Sequence, residues 1–204
     1  MAKIQNVDYE AIPAKASAMR QAGTQLNQEL LNMYQKITDM HNAWYGKRYH
    51  TLVLDFNAMV PQLNAMIDLV VSEIPFTLET VSNNYSKVDQ GTNIVAATKT
   101  LPTKIVDIMI AEDVGMRFLE SEVGMTRQQV SNALENAKQM MNQIDSILGQ
   151  VKWQSEASEA FRTKFAQLKA SITTAFDNIN NQFAKLITQA QTDMQSTESA
   201  NTVQ

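Results

Sequence analysis

The chain reads as an all-α protein: two helix-turn-helix hairpins packed as an elongated antiparallel four-helix bundle. Three observations lead there. Apolar residues recur in alternating steps of four and three over most of the 204 positions, the spacing of a bundle seam. Only six glycines and four prolines interrupt them, and 44% of residues are hydrophobic, which suits long helices better than a sandwich or a disordered chain. The two tryptophans, Trp44 and Trp153, each stand where one seam stops and the next begins. They mark equivalent places in two halves of about a hundred residues, the pattern of a duplicated hairpin.

The first seam runs Ile12, Ala16, Met19, Gly23, Leu26, Leu30, Met33, Ile37, Met40 and Trp44 without a break. Asp8 is a candidate N-cap, which places Pro13 in the first turns, where proline is tolerated. Gly23 lies on the seam and either admits a close helix approach or weakens the helix. After Gly46 the second seam follows Leu52, Phe56, Met59, Leu63, Met66, Val70, Ile74, Leu78, Val81, Tyr85 and Val88. Successive steps of four at 70, 74 and 78 form a stutter, which changes the local winding. Pro61 and Pro75 both lie inside this pattern, and Pro75, beside the stutter, is the expected kink.

Residues 91–124 lose the periodicity. Gly91-Thr92-Asn93 and Leu101-Pro102-Thr103 read as loop, while Ile105 to Val123 is too apolar for a free linker and reads as a short helix or as a segment packed on the bundle. Thr126-x-x-Gln129 reads as a capping box opening the third helix. Its seam is Val130, Leu134, Ala137, Met141, Ile144, Leu148 and Val151. Ser155 is placed to cap the fourth helix, with seam Phe161, Phe165, Leu168, Ile172, Ala175, Ile179, Phe183, Leu186 and Ala190. The polar tail from Ser196 to Gln204 is expected to fray. The organisation is therefore a hairpin over 1–90, a partly helical connector over 91–124 and a second hairpin over 125–204.

The connector bears on topology. Antiparallel hairpins put their tryptophan turns at opposite ends, so the chain must travel the bundle length, roughly 50 Å for a helix of about 35 residues. Parallel hairpins would need only a few residues. The long connector thus predicts the antiparallel arrangement. Neither hairpin covers its own seam, so the chain is expected to be a monomer that acts as an intramolecular pseudo-dimer.

Composition removes several functions. The net charge is −4, with 8 basic and 9 acidic residues up to residue 102 and 9 and 12 after it, so no nucleic-acid interface is expected. There is no cysteine, which removes disulfides, thiolate metal sites and thiol nucleophiles. Ile105 to Ile110 is broken by Asp107 and falls far short of the roughly 20 apolar residues of a membrane span. Met1 to Asn6 lacks a signal-peptide core, so secretion, if it occurs, is expected without a Sec signal. The two histidines, His41 and His50, flank the first turn and have no third ligand beside them. No Glu-x-x-His pair, phosphate loop or nucleophile elbow is present. The chain reads as a non-enzyme without cofactor or metal. Of its twelve methionines, most suit core filling, with Met125, Met140 and Met194 the candidates for exposure.

Two amphipathic helices joined at Trp44-Tyr45-Gly46, and again at Trp153-Gln154-Ser155, resemble the WXG family of small type VII secretion proteins, the early-secreted-antigen-like group. The likeness covers both hairpins. The second copy departs from the motif with Ser155 in place of glycine. It has Ala157 and Phe161 at plus four and plus eight, positions small and aromatic in the family, which gives Trp153 the better packing context. The first copy has Arg48 and Leu52 there. Tyr85-x-x-x-Asp89 at the end of the second helix resembles the family's export signal. A helical spacing of four puts both side chains on one face. The resemblance implies a secreted substrate or escort partner whose partners are the type VII secretion ATPase, its membrane machinery or a co-secreted protein. The alternative is a structural or cell-surface bundle with no export role.

Overall fold

The computed structural model describes residues 7–92, 94–109 and 115–201. Met1 to Asn6, Asn93 of the first loop, residues 110–114 of the apolar stretch and the last three residues of the tail lie outside the described residues. Helix α1 covers Ile12–Asp39, followed by a 3-10 turn, Met40–Asn42. After the two-residue strand β1 (Trp44–Tyr45) comes α2 (Lys47–Ile67). A π-helical segment, Asp68–Glu73, carries α2 into α3 (Ile74–Val88) as one continuous rod. Strand β2 (Arg117–Phe118) precedes α4 (Glu120–Gln150) and α5 (Glu156–Asn201).

These rods form an all-α, antiparallel four-helix bundle. Helix α1 lies against α4: Lys15 Nζ donates to Gln150 Oε1 at 2.6 Å near one end, and Leu119 N–H donates to the Ala43 carbonyl at 2.9 Å near the other. Along α5 and the α2–α3 rod, Arg48 pairs with Asp193, Ser171 Oγ with Gln62 Oε1 at 2.8 Å, and Lys164 with Glu73 at 3.0 Å. Each neighbouring pair of rods is thus antiparallel, and the two tryptophan turns stand at opposite ends.

The heptad seams locate the core. All ten positions of the first seam, Ile12 to Trp44, are buried, as are all seven of the third, Val130 to Val151. The second is buried from Leu52 to Leu78, then Val81 and Tyr85 are half-buried and Val88 is exposed. Val88 lies level with the start of α1, where little remains to cover it. On α5 the stripe drifts: Phe176 is fully buried and Ala175 only half, an effect of 3.6-residue winding over 46 residues. Phe161 and Leu168 are half-buried against the core. Of the three methionines singled out, Met125 is exposed and Met140 and Met194 are half-buried.

Pro75 and the stutter meet in the π segment. Pro75 has no N–H to return to Val71 and its ring crowds that carbonyl. One wider turn absorbs both, and Ile74 N–H reaches five residues back to the Leu69 carbonyl. Pro61 stays within regular helix with its ring exposed. The bulge also settles Gly23. A Cβ there would lie 3.0 Å from the Val70 carbonyl oxygen, so the missing side chain allows α1 to approach the π segment.

Two expectations need correction, at Thr126 and in the tail. Thr126 does not open a helix. The described chain is already helical at Glu120, where Glu120 and Glu122 favour the N-terminal dipole and Val123 adds a buried turn. Thr126 Oγ instead donates to the Glu122 carbonyl at 2.9 Å. Among the described residues of 91–124, helix is confined to Glu120 to Gly124, the start of α4. Residues 94–109 lie extended along α2–α3, since side chains of α1, α2 and α3 bind their main-chain groups. The tail does not fray at Ser196. Thr197 and Ser199 hydroxyls bond carbonyls four residues back, and α5 continues to Asn201.

Candidate interaction site at the tryptophan turns

Gly46 fixes the first turn. Its φ of 115° and ψ of −176° fall in a region essentially confined to glycine. There it ends β1 and starts α2, with His50 N–H on its carbonyl at 3.1 Å. The reversal leaves Trp44 2% exposed. Its ring stacks on Phe183 at 6.1 Å, meets Phe118 edge-on at 5.7 Å and tilts against Tyr49 at 6.1 Å. Tyr49 keeps its hydroxyl satisfied on the Ile37 carbonyl at 3.0 Å. Strand β1 pairs antiparallel with β2, Trp44 opposite Phe118.

The second turn is built differently. Helix α4 ends at Val151 in an extended conformation, and Arg162 reaches back to the Leu148 and Val151 carbonyls at 2.6 and 3.0 Å. Trp153, 6% exposed, forms an antiparallel bridge with Val7, and Asp8 N–H donates to the Lys152 carbonyl at 3.0 Å. Ser155 Oγ accepts Ser158 N–H at 3.1 Å while Ser158 Oγ accepts Ser155 N–H at 3.1 Å, a reciprocal cap on α5. Among the described residues Gln90 is the sole non-glycine with positive φ, so Ser155 needs no glycine freedom. The better-packed tryptophan is Trp44, contrary to expectation. No aromatic contact is found for Trp153 among the described residues, and Ala157 at plus four is exposed. Arg48, at plus four from Trp44, bonds Asp193 Oδ2 at 2.7 Å and Gln189 Oε1 at 2.8 Å.

Each turn is therefore closed by the segment leading into the first helix of the other hairpin: Phe118 before α4 pairs with Trp44, and Val7 before α1 pairs with Trp153. A cleft of about 580 Å³ opens beside Trp44, Arg48, Met116 and Leu186, and one of about 430 Å³ beside Trp153 and Arg162.

Tyr85 and Asp89 lie at the Trp153 end. Tyr85 is half-buried, and Asp89, exposed, closes α3 with its N–H on the Tyr85 carbonyl at 3.0 Å. Sequence reading missed Tyr9. Its hydroxyl donates to Asp89 Oδ2 at 2.5 Å, and its carbonyl accepts from Ser82 Oγ at 2.7 Å. The segment Val7-Asp8-Tyr9 thus joins the second tryptophan turn to the end of α3. The hydrogen bond to Asp89, with its negative charge, raises the Tyr9 phenol above its usual range. Nothing in the local sequence around Tyr9 signals this 80-residue contact.

The His41 and His50 rings lie 5.6 and 6.5 Å from the Tyr49 ring, on either side of the first turn. Among the described residues no group of three or more His, Asp or Glu side chains is placed to hold a metal ion, and no helix is long and apolar enough to cross a membrane. Comparison with protein-family models, characterised proteins and solved structures gives no match.

Proposed function

We propose that this chain is a non-enzymatic pseudo-dimer of the WXG kind, handled by a type VII-like secretion system as a substrate or as the escort of another substrate. The reading rests mainly on the reciprocal closure of the two turns. An isologous pair of hairpins closes in this way: each lends its lead-in segment to the turn of the other. Here both hairpins sit in one chain, which needs one targeting signal. Tyr85 and Asp89 serve as that signal, with the ATPase or membrane machinery as the receiving partner and export outside the cell as the outcome.

A second reading, a structural or surface bundle with no export role, has one observation in its favour: Asp89 is already engaged by Tyr9. One experiment separates the two. Export from the native host is followed in culture supernatant for wild type, Tyr85→Ala with Asp89→Ala, and Tyr9→Phe. Under the secretion reading the double variant stays in the cells although folded, and Tyr9→Phe, which releases the carboxylate, is exported at least as well. Export of the double variant at the wild-type level would eliminate the targeting role.

A further inference from the structure

Residues 94–109, here called the strap, are held on the α2–α3 rod chiefly through their main-chain groups, with Lys104 paired to Asp68 and Lys99 over the Phe76 ring as side-chain contacts. Asn57 Nδ2 donates to the Ile108 carbonyl at 3.0 Å and its Oδ1 accepts Ile108 N–H at 2.8 Å. Asn64 treats Ile105 the same way, at 2.8 and 3.0 Å, and Asn83 treats Val95 so at 2.7 and 2.9 Å. At Thr98 the work is divided: Glu79 Oε2 accepts the N–H at 3.1 Å and Arg20 donates to the carbonyl at 3.1 Å. Glu79 is only 6% exposed, and Arg20 fixes it with two bonds of 2.7 and 3.0 Å. A carboxamide offers one donor and one acceptor side by side, as a peptide unit in a neighbouring strand does. Each asparagine therefore replaces one rung of a β-ladder.

The spacing fits extended chain. Seven helical residues from Asn57 to Asn64 rise about 10.5 Å, and three extended residues from Ile105 to Ile108 span about 10 Å. The strap's own side chains contribute less. Ile105 and Ile108 are buried, whereas Leu101 and Met109 are both 93% exposed. The outer side of the strap is open, so it can leave without unpacking a helix.

We infer that this face of α2–α3 is a receptor for extended polypeptide, that the strap is its intramolecular occupant, and that its intermolecular occupant is an extended segment of a partner protein. That segment carries free N–H groups at the four clamped positions, hence no proline there, and two aliphatic side chains three residues apart. The clamps read main chain, and Asp68 and Phe76 favour basic side chains where Lys104 and Lys99 stand in the strap. The strap prevails in the isolated protein because its tether gives it a millimolar effective concentration. The groove stands or falls independently of export.

The test uses the full chain with Ile105→Asp and Ile108→Asp, whose charges cannot occupy the apolar sockets, and a labelled peptide with the wild-type sequence of residues 94–109. The peptide is expected to bind this variant at least tenfold more tightly than wild type. Binding should weaken by about tenfold or more for each clamp removed through Asn57→Ala and Asn64→Ala. No binding to a variant that keeps wild-type helical circular dichroism, or binding indifferent to the asparagines, overturns the inference. If the double aspartate variant does not fold, hydrogen exchange of wild type decides: the Ile105 and Ile108 amides are expected to exchange by local opening, ahead of the buried α2 amides. Exchange only together with α2 overturns it, as does a wild-type dimer abolished by the asparagine changes, which would give the groove to a second copy.

Discussion

Gly46 and Ser155 each stand two residues after a tryptophan but play different parts, and their backbones say why. Gly46 occupies a region that side chains rarely enter, and a Cβ there would also lie 3.4 Å from Met116 Cβ. Gly46→Ala is expected to cost about 1–3 kcal/mol in urea unfolding. Ser155→Gly should cost only a few tenths, because glycine is itself an acceptable N-cap. Equal losses would contradict the different roles assigned to the two turns. Tyr9 gives a second test at this scale. Its raised phenol favours the protonated fold, so the contribution is full below the ordinary tyrosine range and is lost as pH rises through the raised folded value. In ultraviolet titration, Asp89→Asn should bring the Tyr9 phenol back towards its ordinary value, so that one tyrosine ionises earlier than in wild type. The glycine in Trp44-Tyr45-Gly46 was legible in the sequence. The Tyr9 contact was not, because it depends on where α3 ends relative to α1.

At the scale of elements, heptad periodicity identified four rods, and most of its seam positions are buried. It passed over Val53, Val60 and Ile67 of α2 and Phe176 and Ile187 of α5, and it located the helix ends less well. Ser155 and Thr126 carry equally good local cap signals. One caps, and the other lies six residues inside α4, because Val123 finds a place in the core and extends the helix upstream. Ser155→Ala is therefore expected to lower stability by about 1 kcal/mol, and Thr126→Ala to stay within about 0.5 kcal/mol of wild type, both read from denaturant midpoints. Gly23 was ambiguous from sequence alone. Its neighbour is a backbone carbonyl of the π segment, which cannot swing aside, so Gly23→Ala should destabilise by about 1–3 kcal/mol despite alanine's better helix propensity. A stabilised Gly23→Ala protein would show that the close approach is not needed.

For the whole molecule, the two hairpins share one core through the α1–α4 and α2–α5 contacts, so covalent continuity and association are separable. Cutting the strap at Lys99 or Lys104 should leave the halves together on a sizing column, with a Tm that falls on dilution, whereas the uncut chain keeps its Tm. Halves that part at micromolar concentration would mean that the strap, and not the shared core, joins them. The seams, the tryptophan reversals and the length of the connector were enough to establish an antiparallel four-helix bundle, since 3.5-residue periodicity and chain reach are local quantities carried by residue order. The extended path of the strap, the exchange of lead-in segments between turns and the capture of Asp89 by Tyr9 depended on tertiary structure. Each joins groups far apart in the chain, and a carboxamide that binds a backbone, or a phenol that binds a carboxylate, leaves no periodic trace in the sequence.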